Sequence, residues 1–381
     1  IMLRQIRKTA DHAPFLLYQL EIEDAAGQKH VICSDNTWKV TQDGPIRSAG
    51  IYDGEIYDEN YEMTGWNKNA FNDAKWHQVR VQAVSDSLAL LPKRYQGVQD
   101  IEVLPAKRVC YANEDSVLFD FTQNNVSVPL IKIPMKAGDT LKIEFAEMLD
   151  QKGRLYTDNY RSAISTDYYI AAKDGMVQWR PTFTFHGYQY IQITGFDTAY
   201  QPELNWVSAI VQHSDLKANG TFTSSHAKLN QLQSNINWGL KGNFFDIPPD
   251  CPPRDERLGW TGDAQIIAPT SMFQYDMYAF WAGWLQSVRF EQYGDGGIPW
   301  VVPNNLGKRH SSGWADAIVI IPWELYYRTG DTGVLEENYA AMVKWVNYCT
   351  SQAIEHIPDI SSFGDWLQPL TKSGRKAGDV S

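Results

Sequence analysis

One proline-rich segment near the middle of the chain, residues 246–265, limits what the chain can fold into. Prolines occupy positions 248, 249, 252 and 253, and glycines follow at 259 and 262. Because proline lacks a backbone N–H and fixes φ, neither a helix interior nor a central strand can include this segment. Between Asp250 and Asp263 the segment also carries six charged side chains and a tryptophan. We therefore predict a stiff loop that holds charged groups in a fixed geometry, as an active-site loop does.

The residues before this loop predict β structure in two successive units. Residues 1–85 mix apolar and polar side chains at roughly period two, with turn residues at short intervals, and Pro92 and Pro105 mark a connector. Cleaner strands follow at Ser116–Phe121, Leu130–Pro134, Leu141–Glu147 and Tyr188–Thr194. Many short strands without helices between them predict a β-sandwich rather than a parallel α/β sheet.

Apolar side chains at helical spacing begin after Ser214. The first predicted helix has one apolar face, formed by Leu229, Leu232, Ile236 and Leu240, with Ser224 or Ser225 as its N-cap. Three more helices are predicted at about 277–288, 315–328 and 338–352, and Gly330 is a suitable residue to end the second of these three. The predicted domains are therefore an N-terminal β-domain at 1–95, a β-sandwich at 96–215 and an all-α domain at 216–381.

Tryptophans are concentrated in the helical part of the chain. Nine of the 14 follow position 215, and they cannot all enter a core without leaving N–H groups that are hard to satisfy. Trp314 and Trp366 each lie in a glycine-containing loop. Flat aromatic faces in loops suit the C–H faces of sugar rings, so tryptophans beside fixed carboxylates indicate carbohydrate chemistry.

Glycoside hydrolysis needs one carboxylic acid to protonate the leaving oxygen and one carboxylate to activate water or attack. We predict that Glu256 is the acid and that Trp260 removes water from its surroundings. Arg254 and Arg257 are placed to orient neighbouring groups. Asp250 and Asp263 are expected to accept hydrogen bonds from sugar hydroxyls.

A purely structural interpretation of the same residues stays open. The run Arg-Asp-Glu-Arg at 254–257 is also typical of a surface ion-pair lattice, and Asp263 is suited to cap a helix that begins near Ala264. Trp314 and Trp366 are as compatible with a core as with a sugar platform. His186 and His310 stand alone, without a serine or cysteine in a triad-like context, and are interpreted as structural.

The net charge, the length of the apolar runs and the number of cysteines argue against several other classes of function. The net charge of −11 and the absence of a Lys/Arg block argue against a nucleic-acid partner. No apolar run approaches 18 residues, so no membrane span is predicted. The four cysteines, Cys33, Cys110, Cys251 and Cys349, form no metal-ligand pattern, and we expect neither a metal nor a cofactor.

The loop also resembles a known signature. DCPPRDERLGWTGDAQ at 250–265 is similar to the signature of the bacterial α-L-rhamnosidases, glycoside hydrolase family 78. Flanking motifs extend the resemblance over nearly the whole chain: FDFTQN at 119–124, PTFTFHG at 181–187, GWADA at 313–317 and GDW at 364–366. Two local departures are Pro253, where the family usually has glutamine, and Thr122, where glycine is common.

This resemblance implies a fold, a reaction and a set of residues. The fold would be β-sandwich domains followed by the N-terminal part of an (α/α)6 barrel, and the reaction would be inverting hydrolysis of terminal α-L-rhamnosyl residues in a rhamnose-containing glycoside or polysaccharide. Glu256 would be the general acid. The implied substrate-binding residues are Asp250, Arg254, Trp260, Asp263, Trp314, Asp365 and Trp366, with Asp316 as a weaker correspondence.

The chain is short for that fold. Twelve helices need roughly 250 residues, whereas 166 follow position 215. We therefore expect an incomplete barrel, an incomplete N-terminal domain and a general base that lies beyond Ser381. Two alternatives remain open: a carbohydrate-binding remnant without turnover, and an (α/α)6 glycosidase for another sugar.

Overall fold

The computed structural model describes residues 15–83, 91–113 and 115–360. The strands are β1 Gln19–Glu23, β2 Lys29–Cys33, β3 Lys39–Val40, β4 Ile46–Gly50, β5 Gly54–Asp58, β6 His77–Gln78, β7 Val98–Pro105, β8 Arg108–Asn113, β9 Ser116–Met135, β10 Thr140–Ala146, β11 Met148–Leu149, β12 Leu155–Tyr156, β13 Thr166–Ile170, β14 Gly175–Trp179, β15 His186–Thr194, β16 Val207–Ser214, β17 Ala353–Ile354 and β18 Ile357–Pro358. The helices are α1 Ala227–Gly242, α2 Thr261–Gln274, α3 Tyr278–Glu291, α4 Ala317–Thr329 and α5 Gly333–Ser351.

Strand β9 passes through both layers of a β-sandwich. Its first half pairs with β8, its second half pairs with β14 and β16, and β15 pairs with residues on both sides of the bend. Between the halves Thr122 adopts a φ of 58°, and the register against β15 jumps from Asp120 to Asn125. The strands predicted at Ser116–Phe121 and Leu130–Pro134 are therefore two parts of one bent strand.

One apolar core fills the space between the two layers. Alternate residues of β9 point into it, including Val117, Phe119, Ile131 and Ile133, which are all completely buried. The other strands contribute in the same alternating way, as the period-two pattern of the sequence predicted. The predicted β-sandwich is confirmed.

The first β segment is joined to this sandwich through a buried polar network. Strand β5 pairs in parallel with β13, and the buried Glu55 carboxylate accepts hydrogen bonds from the N–H groups of Thr182 and Phe183 at 3.0 and 2.9 Å. Asp167 accepts the N–H of Glu55 at 2.8 Å and contacts His186 at 3.1 Å. Burial raises the pKa of Glu55. His186 thus lies in the core, in line with its structural interpretation.

The sequence predicted a connector between Pro92 and Pro105, and this prediction is wrong for residues Val98–Pro105. Residues Val98–Pro105 form β7, which pairs with β16 and ends the strand order at one edge of the sheet. Proline is tolerated at a sheet edge because no further strand needs its missing N–H. Pro105 is therefore the last residue of an edge strand and not the end of a connector.

The helical part contains five helices within the described residues, one more than the four that apolar spacing predicted. The additional helix, α2, buries small residues such as Ala264 and Ala268 instead of a continuous apolar stripe, and it contains Pro269. The predicted N-cap of α1 is also wrong: His226 takes that position, because Asn230 holds the backbone of Ser224 outside the helix. Gly330 ends α4 in the left-handed conformation, as predicted.

Three of the buried tryptophans are core residues with satisfied N–H groups. Trp281, Trp284 and Trp345 donate to the Ser271 hydroxyl, the Val302 carbonyl and the Asp316 carboxylate at 3.0, 3.2 and 2.8 Å. They form the centre of the core that joins the helices. No helix among the described residues is long and apolar enough to cross a membrane.

Candidate active site

The proline-rich loop closes on itself immediately before α2. The backbone N–H of Asp250 donates to the carbonyl of Leu258 at 3.1 Å, and the N–H of Arg257 donates to the carbonyl of Asp250 at 2.8 Å. Cys251 and Arg257 have φ angles of 53° and 56°, which are unusual for residues with side chains. Strained backbone of this kind persists where the surrounding structure holds it, and it is concentrated at functional sites.

The loop is held against the β part of the molecule by Arg257. This residue is 3% exposed, and its guanidinium donates to the carbonyls of Ile51 and Phe185 and lies 4.8 Å from the ring centre of Phe185. Burial lowers the pKa of Arg257 to about 10. The Tyr52 hydroxyl adds a 2.6 Å hydrogen bond to the carbonyl of Glu256. The sequence predicted that Arg257 orients neighbouring groups. In the structure it instead fixes the loop to the β part of the molecule.

Glu256 is buried between two arginines. It is 7% exposed, Arg254 Nε donates to its Oε2 at 2.9 Å, and Arg254 Nη2 forms an ion pair with the same oxygen at 2.6 Å. Arg161 reaches the same oxygen at 3.3 Å. Charge-assisted contacts of this kind are short and strong, and here they all hold the same carboxylate oxygen. The side chain predicted to be the acid is thus held rigidly, through one of its two oxygens.

The neighbouring Asp255 is also tied to the sandwich. The Ser162 hydroxyl donates to Asp255 Oδ2 at 2.6 Å, Arg161 lies 3.7 Å from Oδ1, and the backbone N–H of Asp255 reaches the carbonyl of Tyr160 at 3.3 Å. Sequence reasoning missed Tyr52, Arg161 and Ser162 as loop contacts. They lie some 90 to 200 positions away in the chain, and no local pattern marks them.

Asp250, Cys251 and Glu256 come together at the base of the loop. One ligand-type atom from each lies within 4.8 Å of the other two, which is a spacing that a metal ion could bridge. Two observations disfavour an ion there. The Arg254 guanidinium already supplies positive charge at 2.6 Å from Glu256. Burial, and then the contact with Asp250, raises the pKa of Cys251, so it stays a thiol and a poor ligand.

A cavity of about 1020 Å³ opens beside the loop, between α1 and α2. Asp250, Asp263 and Trp314 all line it, together with apolar residues of the two helices. Gly262 lies so close to Trp314 that a Cβ atom there would be 2.5 Å from the indole. Two carboxylates and a half-buried indole around one cavity are the groups that sugar hydroxyls and ring faces require.

Asp263 lies in the first turn of α2 and reaches solvent through this cavity. It does not cap the helix, which begins at Thr261 with Trp260 as the N-cap residue. The surrounding protein atoms still remove part of its water. That desolvation, together with the negative charges of Asp250 and Glu256, raises the pKa of Asp263 to about 6.

The remaining predicted residues occupy different places. Trp260 is buried in an apolar cluster with Leu258, Val301 and Leu306, behind the loop. Asp316 accepts hydrogen bonds from Trp345 at 2.8 Å and from the backbone of Gly313 at 3.1 Å, so it braces the loop that carries Trp314. Asp365 and Trp366 lie outside the described residues.

Three consecutive parts of the chain match domain models of one protein family. Residues 2–102 match the α-L-rhamnosidase N-terminal domain, 111–213 the bacterial α-L-rhamnosidase concanavalin-like domain, and 217–380 the bacterial α-L-rhamnosidase six-hairpin glycosidase domain. The three matches leave only short gaps between them.

Individual proteins are similar over the same extent. An α-L-rhamnosidase of Formosa agariphila is 55% identical over 370 residues, which are 97% of this chain and 40% of that protein. An α-L-rhamnosidase of Alteromonas sp. is 48% identical over 98% of this chain and 41% of its own length. The chain thus spans about two fifths of the length of the curated relatives it matches.

Solved structures agree with these matches. The α-L-rhamnosidase from Dictyoglumus thermophilum superposes with a TM-score of 0.90 at 32% identity, over 97% of this chain and 41% of that one. A Streptomyces avermitilis α-L-rhamnosidase complexed with L-rhamnose superposes with a TM-score of 0.86 at 34% identity, over 95% of this chain and 35% of that one.

Proposed function

This chain belongs to the bacterial α-L-rhamnosidase family, and from that premise we propose that it binds and cleaves terminal α-L-rhamnosyl residues. The observation that carries the proposal is the position of Glu256. It is a buried, doubly arginine-bound carboxylate on a strained loop, beside a cavity lined by Asp250, Asp263 and Trp314. A terminal sugar would bind in that cavity and present its glycosidic oxygen toward Glu256.

In this mechanism Glu256 is the general acid. Arg254 and Arg161 both bind Oε2, so Oε1 is the oxygen that would carry the proton to the leaving group. The two arginines hold Oε2 in place, which would leave Oε1 free to point toward the acceptor oxygen of the leaving group. Asp250 and Asp263 would accept hydrogen bonds from the hydroxyls of the sugar, and Trp314 would cover its apolar face.

Asp250 is not suited to the role of general base. One of its oxygens lies within 4.8 Å of a Glu256 oxygen. An inverting glycosidase needs about 6.5–9.5 Å between its two carboxyl groups, because a water molecule must fit between the base and the sugar. We therefore assign Asp250 to substrate binding and propose that another residue supplies the base.

The test of the acid role is Glu256→Gln, assayed on two substrates. Protonation by a general acid contributes about 10²–10⁴-fold to rate, and it matters most when the leaving group is a poor one. We expect kcat on methyl α-L-rhamnoside to fall within that range. The loss on 4-nitrophenyl α-L-rhamnoside should be smaller, since nitrophenolate leaves without protonation.

Glu324→Gln is the matched control, because Glu324 also pairs with an arginine, Arg328 at 3.6 Å, but lies on α4 outside the loop. It should leave both rates unchanged. L-rhamnose affinity, measured by calorimetry, should stay within about threefold in both variants. Equal losses on the two substrates, or unchanged turnover by the Glu256 variant, would remove Glu256 from the acid role.

A second candidate function is sugar binding without turnover. The short Asp250–Glu256 separation favours it, since this pair alone cannot perform the inverting reaction. Calorimetric binding of L-rhamnose by a chain that releases no sugar from either rhamnoside would support this candidate. If a panel of other aryl glycosides is cleaved while rhamnosides are not, the sugar assignment is wrong.

A further inference from the structure

A second cavity, of about 530 Å³, lies on the other side of the proline-rich loop, between the β-sandwich and α1. Its size falls within the roughly 300–1,000 Å³ of typical small-molecule sites. Asp250 lines both this cavity and the larger one, and Arg254 lines this cavity alone. The two cavities therefore share Asp250, which has an oxygen within 4.8 Å of a Glu256 oxygen.

The walls of this cavity carry polar groups that are already held in place. The Glu147 carboxylate accepts a hydrogen bond from the Asn124 amide at 2.8 Å through one oxygen and from the Asn159 amide at 3.1 Å through the other. Both asparagines also line the cavity. A braced carboxylate with two amides beside it offers acceptors and donors in a fixed arrangement, as recognition of vicinal hydroxyls requires.

The opposite wall supplies apolar surface. Trp238 of α1 lines the cavity and is half-buried, and Lys241 lies 4.4 Å from the centre of its ring. The lysine contact fixes the orientation of the indole. Pro252 and Pro253 of the loop complete this wall. An indole opposite a carboxylate–amide group is suited to a pyranose ring, which has both hydroxyl edges and C–H faces.

We propose that this second cavity is a carbohydrate subsite for the sugar on the leaving-group side of the cleaved bond. The inference rests on the proposed function, because it places the terminal rhamnosyl residue in the larger cavity. The general acid must contact the oxygen that joins the two sugars, and Glu256 has an oxygen within 4.8 Å of Asp250, the carboxylate that lines both cavities. The carboxylate and amides of the walls supply partners for the hydroxyl groups of a sugar unit at this position.

The experiment measures the calorimetric affinity for two probes, L-rhamnose and α-L-rhamnosyl-(1→2)-D-glucose with sulfur in the glycosidic link, which resists hydrolysis. The original chain should bind the thio-disaccharide at least about tenfold more tightly than L-rhamnose. Glu147→Gln and Trp238→Ala should each lose most of that gain and keep their affinity for L-rhamnose within about twofold.

Glu144→Gln is the matched control. It removes a carboxylate three positions away that pairs with Lys142 at 2.7 Å and does not line the cavity, and it should bind both probes like the original chain. Thermal unfolding establishes that each variant is folded. If L-rhamnose binds but the thio-disaccharide binds no more tightly, or if both variants keep the gain, the subsite is absent. Binding of neither probe would instead overturn the proposed function, and the subsite with it.

Discussion

The ionised carboxylate of Asp263 opposes folding at neutral pH. Desolvation and the charges of Asp250 and Glu256 raise its pKa to about 6, against about 3.9 in an unfolded chain. Between those values the folded state holds the proton more tightly. The protonated Asp263 carboxyl therefore contributes its full stabilisation below about pH 4, and this contribution is lost as the pH rises through about 6. A group retained at a cost to stability is typical of a binding site.

Asp263→Asn should therefore be more stable than the original chain at pH 8 and nearly equal to it at pH 4. The reason is that asparagine has no charge to desolvate. The measurement is the urea midpoint at pH 4, 6 and 8, together with calorimetric affinity for L-rhamnose. Affinity should fall, because the amide is a weaker acceptor for hydroxyls than a carboxylate.

Asp150→Asn is the control, because the pKa of Asp150 is shifted in the opposite direction to that of Asp263. Hydrogen bonds from Arg154 lower the pKa of Asp150 to about 2. Its stabilising contribution is present above the unfolded pKa and is lost only as the pH falls toward 2. This variant should therefore be less stable than the original chain at pH 8. An Asp263→Asn protein that is also less stable at pH 8 would contradict the assignment of Asp263.

At the scale of elements, the bend of β9 stores strain at Thr122. Threonine is β-branched, and a φ of 58° is an outlier for such a residue, with a cost of about 1–3 kcal/mol. Its side chain is exposed, and its backbone N–H donates to Asp120 at 2.7 Å, a bond that glycine would keep. Glycine is also common at this position in the family that the sequence resembles.

Thr122→Gly should raise the free energy of unfolding by about 1 kcal/mol, because relief of the strain exceeds the entropic cost of a glycine. Denaturant unfolding measures the change. Thr140→Gly is the matched control, since Thr140 is an exposed threonine of β10 without a positive φ. That variant should lose about 0.5–1 kcal/mol. A destabilised Thr122→Gly would show that the bend is not strained.

The sequence predicted well the elements in which apolar residues repeat regularly, or in which a glycine adopts a left-handed backbone conformation. Alternation identified the strands that carry the core residues Val117, Phe119, Ile131 and Ile133, and Gly330 marked the end of α4. Predictions from local patterns failed where contacts between distant residues determine the structure. The left-handed Thr122 made one strand look like two, and only pairing with β16 shows that Pro105 belongs to an edge strand.

At the scale of the whole molecule, the site depends on contacts between distant parts of the chain. The sequence alone predicted the loop and singled out Asp250, Asp263 and Trp314, which line one cavity. It could not predict that Arg161 and Ser162 hold the loop from the sandwich side, since no local pattern links positions about 93–95 residues apart. It also gave Arg257 an orienting role, whereas burial makes this residue an anchor between domains.

Arg257 should therefore control how firmly the loop is held. Arg257→Ala leaves the buried carbonyls of Ile51 and Phe185 without their donor and removes the cation from the face of Phe185. Unpaired buried carbonyls and a lost charge-assisted contact cost about 2–4 kcal/mol together. Urea unfolding should show this loss, and L-rhamnose affinity should fall as well, because the loop also carries Asp250. Tyr52→Phe removes one hydrogen bond to the same loop and should cost about 1 kcal/mol.

Arg47→Ala separates anchoring from the general effect of losing an arginine. Arg47 also donates to a backbone carbonyl, that of Gly44 at 2.8 Å, and lies 4.1 Å from the ring centre of Tyr61, but it is exposed. Its removal should cost less than about 0.5 kcal/mol and leave sugar affinity intact, since water replaces the lost contacts. Suppose instead that both arginine variants lose the same stability, or that Arg257→Ala binds L-rhamnose as tightly as the original chain. The loop would then keep its geometry without the sandwich, and the β-domains would have no part in forming the site.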